Sequence, residues 1–181
     1  MPLLKTEAYT TDYIYSLPEG KRAELIDGVV YDMAPPSTMH QRLSTKLSSK
    51  INSYIEKKQG KCEVFTAPFA VFLNADNKNY VEPDISVICD KNKLDDRGCN
   101  GAPDWIIEIV SPSTKRIDYG IKLFKYRTAG VREYWIVNPA TNVVNVFDLQ
   151  NDSFSDQYTF DADITVCIYN DLVINISELL K

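Results

Sequence analysis

Glu108 limits what this chain can fold into more than any other residue. It sits inside the apolar run Trp105-Ile106-Ile107-Glu108-Ile109-Val110, which reads as a strand. A carboxylate there is costly unless something positive pairs with it. A second acid, Asp84, ends Val81-Glu82-Pro83-Asp84 and opens the apolar strand Ile85-Ser86-Val87-Ile88-Cys89. If the two strands are neighbours, the carboxylates lie about 5 Å apart, as cross-strand pairs do. Two such charges repel by about 3 kcal/mol at an effective dielectric near 20. A hard divalent cation is the usual remedy, and it can also activate water and orient a phosphate. The plainer alternative is a solvated strand-end pair with no ligand.

The helix read from about Arg116 to Ala129 bears on that choice. Asp118, Lys122 and Tyr126 are spaced i, i+4, i+8 and form one polar stripe. Ile117, Ile121 and Phe124 form the neighbouring apolar face. Lys122 could therefore sit at the sheet edge near Glu108, where it would polarise water or hold the scissile phosphate. The alternative for Lys122 is an i, i+4 salt bridge to Asp118 on a solvated face. Ser111, Ser113 and Thr114 around Pro112 can cap this helix, whose positive end would then face phosphate. Lys115, Arg116, Lys122, Lys125 and Arg127 make a local basic strip, suited to a nucleic-acid backbone or to a solvated face.

At 181 residues the chain suits one domain with one sizeable core. A helix is expected from Thr10 or Thr11 to Leu17. A hairpin follows, with strands 22–26 and 29–33 around the turn pair Asp27-Gly28. Ser37 looks like the N-cap of a long helix to about Gln59, with Leu43, Leu47, Ile51, Tyr54 and Ile55 on its packed face. Strands are expected over 62–67, 69–73, 133–137 and 143–149. Residues 90–100 read as a loop with a short helical piece. The tail reads as short strands over 153–159, 164–168 and 172–174, with a helical turn near 177–180. Trp105, Tyr134 and Trp135 read as core or interface, not as base-stacking residues. Four cysteines show no zinc spacing, so reduced thiols in a cytoplasmic protein are expected. No apolar run is long enough to span a membrane, and residues 1–7 lack a signal-peptide pattern. The net charge of −5 argues against a nonspecific nucleic-acid coat but allows a local basic site.

Pro83-Asp84 followed by Glu108 in an apolar strand resembles the PD-(D/E)xK, restriction-endonuclease-like superfamily. An ordered set of further stretches is similar, more narrowly, to the Uma-two endonuclease family. It comprises Glu24-Leu25-Ile26-Asp27-Gly28, Ala34-Pro35-Pro36-Ser37 with His40-Gln41, Ala67-Pro68-Phe69, Val81 to Asp84, Glu108 to Thr114, and Gly130 to Val137. The resemblance covers about residues 10–149, with a C-terminal strand extension over 150–181. It implies an α/β fold: a central mixed β-sheet flanked by helices, with extra N-terminal and C-terminal strands. It also implies a DNA endonuclease dependent on Mg2+ or Mn2+, with Asp84 and Glu108 as metal ligands and the Ile109 carbonyl as a third. Glu24 resembles an additional acidic residue of the family and would bind metal directly or through water, unless it is a hairpin surface charge.

The superfamily pattern asks for lysine two residues after the second acid, and Val110 stands there. Lys122 is the expected substitute, with Lys115 next in line. His40, the one histidine, resembles a family histidine and would contact phosphate, tune the site or simply hydrogen-bond at a helix start. Ser113, Lys115, Arg116 and Tyr126 are further expected contacts to DNA or phosphate. A homodimer would let a two-fold pair cut both strands. The alternative function is a decayed nuclease scaffold serving as a nucleic-acid-binding or interaction module, which Val110 and the acidic balance motivate.

Overall fold

Asp27 and Gly28 both take positive φ, 50° and 78°, as a two-residue hairpin loop requires. They join β1 (Ala23–Ile26) to β2 (Val29–Asp32), with Glu24 opposite Tyr31. Gly28 is also sterically obligatory, since an added Cβ would lie 2.5 Å from the Cβ of Ala8. The structure, a computed structural model, describes residues 8–152 and 155–181. The leader reading at residues 1–7 and the first two positions of the expected 153–159 strand lie outside them.

A short helix, α1 (Thr11–Tyr15), precedes the hairpin. The long helix α2 (Thr38–Lys57) follows it, and Ser37 accepts the His40 amide as its N-cap. Leu43, Leu47, Ile51 and Ile55 are buried along one stripe of α2, each worth about 1.5–3 kcal/mol of transfer free energy. Seven strands come next: β3 (Glu63–Thr66), β4 (Val71–Phe72), β5 (Tyr80–Val81), β6 (Ile85–Ile88), β7 (Leu94–Asp95), β8 (Gly98–Asn100) and β9 (Trp105–Ile109). A π-helical turn (Ile117–Lys122) runs directly into α3 (Leu123–Ala129), which Gly130 ends at φ 94°. The chain closes with β10 (Glu133–Asn138), β11 (Val143–Asp148), β12 (Asp156–Thr159), β13 (Ile164–Thr165), β14 (Val173–Ile174) and α4 (Ile176–Leu179).

The central sheet has the order β12-β11-β10-β9-β6-β3. It is mixed, because β9 and β10 run parallel and the other neighbours antiparallel. Alternation sends Trp105, Ile107 and Ile109 toward α2 and Ile106 and Val110 the other way. A second sheet, β2-β1-β5-β4-β8-β7, packs on that other face together with Tyr126 of α3. The flanked mixed sheet with added terminal strands is the fold class expected from the sequence. Trp105 and Trp135 meet edge to face in the core, 5.1 Å apart.

Two readings need correction. Residues 90–100 hold not only a 3₁₀ turn, Lys91–Lys93, but also the β7–β8 hairpin of the second sheet. Asp95 makes that tight turn possible by accepting the amides of Arg97 and Gly98. Cys62 and Cys89 lie across from each other at the ends of β3 and β6 and form a disulfide, so they are not reduced thiols.

Glu133 shows how the C-terminal segment is held. It is fully buried, and burial pushes its carboxyl above the ordinary range. One oxygen accepts the Trp135 indole at 2.6 Å and the Cys167 amide at 3.0 Å; the other accepts the Ile168 amide at 2.9 Å. Glu133→Ala strands the Trp135 indole in the interior and takes the partner from the part-buried amides of Cys167 and Ile168. A loss of about 3 kcal/mol is expected, read as a lower urea midpoint with an unchanged slope.

Candidate active site

β6 and β9 pair antiparallel, with Ile85 opposite Ile107 and Ser86 opposite Ile106. Continued by one residue, this register sets Asp84 opposite Glu108. The Asp84 amide points at Glu108 Oε2 at 3.5 Å, and Asp84 Oδ2 accepts the Ile109 amide at 2.7 Å. Both acids line a cleft of about 320 Å³, walled by residues 31–37 and 111–114.

Lys122 reaches these acids from the helix. Its Nζ lies 2.9 Å from Glu108 Oε1, 2.7 Å from Glu24 Oε2 and 3.6 Å from Asp118 Oδ1. Only 5% of Lys122 is exposed, so the solvated-face alternative does not hold. Glu24 is buried too, not a hairpin surface charge. Tyr126 donates its hydroxyl to Glu108 Oε1 at 2.7 Å. Burial pushes the Glu108 carboxyl well up, against the opposing pull of Lys122, and raises Asp118 likewise. Burial alone would lower Lys122; the carboxylates of Glu108, Glu24 and Asp118 outweigh it and hold the amine well above its usual range. Lys122 is therefore an ammonium at any working pH.

The apolar face expected at Ile117, Ile121 and Phe124 packs only at Ile117, while Lys122 does lie near Glu108 as expected. The polar stripe of Asp118, Lys122 and Tyr126 is the buried one, whereas Ile121 and Phe124 are 41% and 62% exposed. In a regular α-helix, positions four apart drift by about 40°. Residues Ile117–Lys122 instead take a wider π-helical turn, and such turns recur at functional sites. Val110 is buried among apolar neighbours on the face it shares with Glu108. The space a lysine at that position would use is entered from the helix instead.

The other expected residues separate into groups. His40 Nε2 lies 3.0 Å from Asp84 Oδ2, and its Nδ1 is buried without a partner among the described residues. Ile109 and Ser113 line the cleft. Ser111 Oγ accepts the Thr114 amide at 3.3 Å, so these hydroxyls do cap the helix start. Lys115 and Arg116 are exposed but do not line the cleft. Tyr126, expected to touch DNA or phosphate, is fully buried and meets Glu108 instead. The basic strip dissolves: Lys122 is internal, Lys125 pairs with Asp27 and Arg127 pairs with Asp152. Three cleft members were missed as site residues. They are Asp118, read only as a surface partner of Lys122, and the ion pair of Arg22 with Glu82.

The donor set suits a hard divalent ion held on few protein ligands. Among the described residues no three His, Cys, Asp or Glu side chains close around a metal position, so the set is the Asp84–Glu108 pair with nearby backbone and water. Magnesium commonly binds in this way, through one or two carboxylates while keeping several waters. Asp84 Oδ1 has no hydrogen bond among the described residues, and Glu108 Oε2 has only the long contact at 3.5 Å. Glu24, Glu108 and Asp118 share one ammonium, and Asp84 adds a further acid beside them, so a divalent ion would offset charge that Lys122 alone does not.

The sequence model of a family described as "Putative restriction endonuclease" (Uma2) matches residues 10–170. An uncharacterized protein of Synechocystis sp. is 26% identical over 133 residues, 73% of this chain and 68% of that protein. A second from the same organism is 28% identical over 121 residues, 65% and 67% of the two chains. A crystal structure from Anabaena variabilis, described as a "putative nuclease belonging to DUF820", superposes with a TM-score of 0.75 at 24% identity. It covers 94% of this chain and 97% of its own, so the two share a fold. Among the described residues no helix is long and apolar enough to cross a membrane.

Proposed function

The chain belongs to the Uma2 family, "Putative restriction endonuclease", and on that premise we propose that it is a metal-dependent endonuclease hydrolysing phosphodiester bonds of DNA. Asp84 and Glu108 would hold magnesium or manganese, with the Ile109 carbonyl as a third ligand. The observation that carries this reading is Lys122 Nζ, 2.9 Å from Glu108 Oε1 at the cleft floor. It supports reading Lys122 as the lysine of the motif, beside the second acid, although Val110 occupies the usual position.

When bound, such an ion lowers the pKa of water and offsets charge on the phosphate. The chain's own residues orient the parts. The Ile109 amide and His40 fix one oxygen of Asp84. Lys122 and Tyr126 fix one oxygen of Glu108. Glu24 supports from behind by holding the ammonium. A protonated Lys122 can donate to a phosphate oxygen or to water but cannot accept a proton. Its 3.6 Å contact with Asp118 is the longest of the three and the first a phosphate oxygen would replace.

Supercoiled plasmid incubated with magnesium or manganese should be nicked or cut, and a chelator should stop it. Cleavage that survives the chelator, or none with either metal, removes the proposal. Salt-sensitive binding without cleavage would instead favour the binding-module reading that Val110 motivates.

A further inference from the structure

Six acidic side chains line the cleft against two basic ones, Arg22 and Lys122. A polyanionic strand cannot approach such a wall without a cation free to meet it. Lys122 lies at the cleft floor, surrounded by Glu24, Glu108 and Asp118, so it can serve the phosphate being cut but not a neighbouring one. Arg22 differs: its side chain is 37% exposed.

The Arg22 guanidinium is also held in place. Its Nε donates to Glu82 Oε2 at 2.8 Å, and Nη2 donates to the same oxygen. Glu82 is itself 8% exposed, and its other oxygen accepts the Tyr80 hydroxyl at 2.6 Å. The Glu82 amide donates to Glu24 Oε1 at 3.0 Å, which ties the pair to the Lys122 cluster. Only one edge of the guanidinium is used; Nη1 has no partner among the described residues. A fixed planar fork with free N–H groups is suited to the oxygens of a phosphate.

We propose that Arg22, oriented by Glu82 and Tyr80, forms a second phosphate-binding subsite. It takes a phosphodiester of the substrate strand beside the one being cut. The identity of the ligand rests on the nuclease reading; the site itself rests on the geometry above.

The test titrates a short fluorescein-labelled single-stranded oligonucleotide over a range of salt. Magnesium is present, and Glu108→Gln is the common background, so that the strand stays intact. Arg22→Ala should weaken binding about tenfold to a hundredfold, as loss of a charge-assisted contact does. The slope of log affinity against log salt should fall by about 0.7, the share of one phosphate on a single strand. Arg22→Lys should keep most of the slope and Arg22→Gln should not; this pair decides the matter if the alanine variant melts early. With Glu108 restored, Arg22→Ala should raise KM and leave kcat nearly unchanged. An unchanged slope and KM, a loss confined to kcat, or a background protein that binds no oligonucleotide would overturn the subsite. If the wild type cuts no DNA with either metal, the nuclease reading falls while the binding slope still decides Arg22.

Discussion

Glu108→Gln should abolish cleavage, by roughly a thousandfold or more, while the protein stays folded. The magnitude follows from losing a carboxylate that would hold the ion on which water activation and phosphate charge offset depend. The fold should tolerate the change because it removes a carboxylate that burial already disfavours in its charged form. The amide oxygen can still accept from Lys122 and Tyr126, which now meet Glu108 Oε1. Asp84→Asn should lose activity comparably, since the amide keeps the Ile109 hydrogen bond but not the charge. Plasmid nicking with magnesium, run beside thermal melts of the same samples, checks both variants. Normal activity in either would end the two-acid assignment; lost activity with a collapsed melt would show damage to the fold instead.

Lys122→Met should have the largest effect on stability. It leaves Glu24, Glu108 and Asp118 in the interior without their shared cation. Removing one partner from a buried ion cluster costs about 3–5 kcal/mol, or about 10 °C in melting temperature for a domain of this size. The pH dependence has a definite sign. Burial raises the folded pKa of Glu108 and of Asp118 above the unfolded values near 4. Their contribution is full below about pH 4 and is lost as pH rises through the raised folded values. Without Lys122 the pull against burial is gone at Glu108 and reduced to the Thr114 hydrogen bond at Asp118, so the loss should steepen. In chelator, the deficit of Lys122→Met against wild type should therefore widen from mildly acidic to neutral pH and narrow again on acidification. Lys122 itself is raised, so its own contribution persists until pH passes above about 10.4. Guanidinium titrations at several pH values decide this; a deficit that does not vary with pH would mean the carboxylates are not the cause.

Local chemistry was legible where the responsible residues are adjacent. Asp27-Gly28 determines a turn by backbone conformation alone, and Ser37 with the α2 stripe determines a helix by capping and period. The pairing of Asp84 with Glu108 was legible because a charge inside an apolar strand requires an explanation wherever it occurs. The faces of the third helix were not. Period alone puts Ile121 and Phe124 inside, but the neighbouring layer offers Glu24 and Glu108, and it takes an ammonium better than a methyl group. That preference depends on which sheet lies opposite, and the second sheet is built of strands as short as two residues with no period to detect. Arg22 and Glu82 were missed for the same reason, since 60 positions separate them in the chain and only the β1–β5 pairing brings them together.

The wide turn at Ile117–Lys122 makes this helix unusually sensitive to length. One bond pattern spanning five residues instead of four stores an extra residue between the Ser111 cap and the Tyr126 anchor. Deleting a residue there would let the segment close into a regular α-helix. Six residues in the wide turn wind through about the same angle as five at the α-helical 100°, so the Ser111 and Tyr126 ends would keep their facing while the residues between them close up. With Tyr126 still seated, the change would fall on the residues from Asp118 to Lys122, and the reach of the ammonium to Glu24 and Glu108 would have to be made from a narrower turn. A single lost codon would thus be felt at the cleft floor while leaving both ends of the helix in place. Within the family, the spacing from the strand acid to this lysine should vary less than the identity of the residues between them.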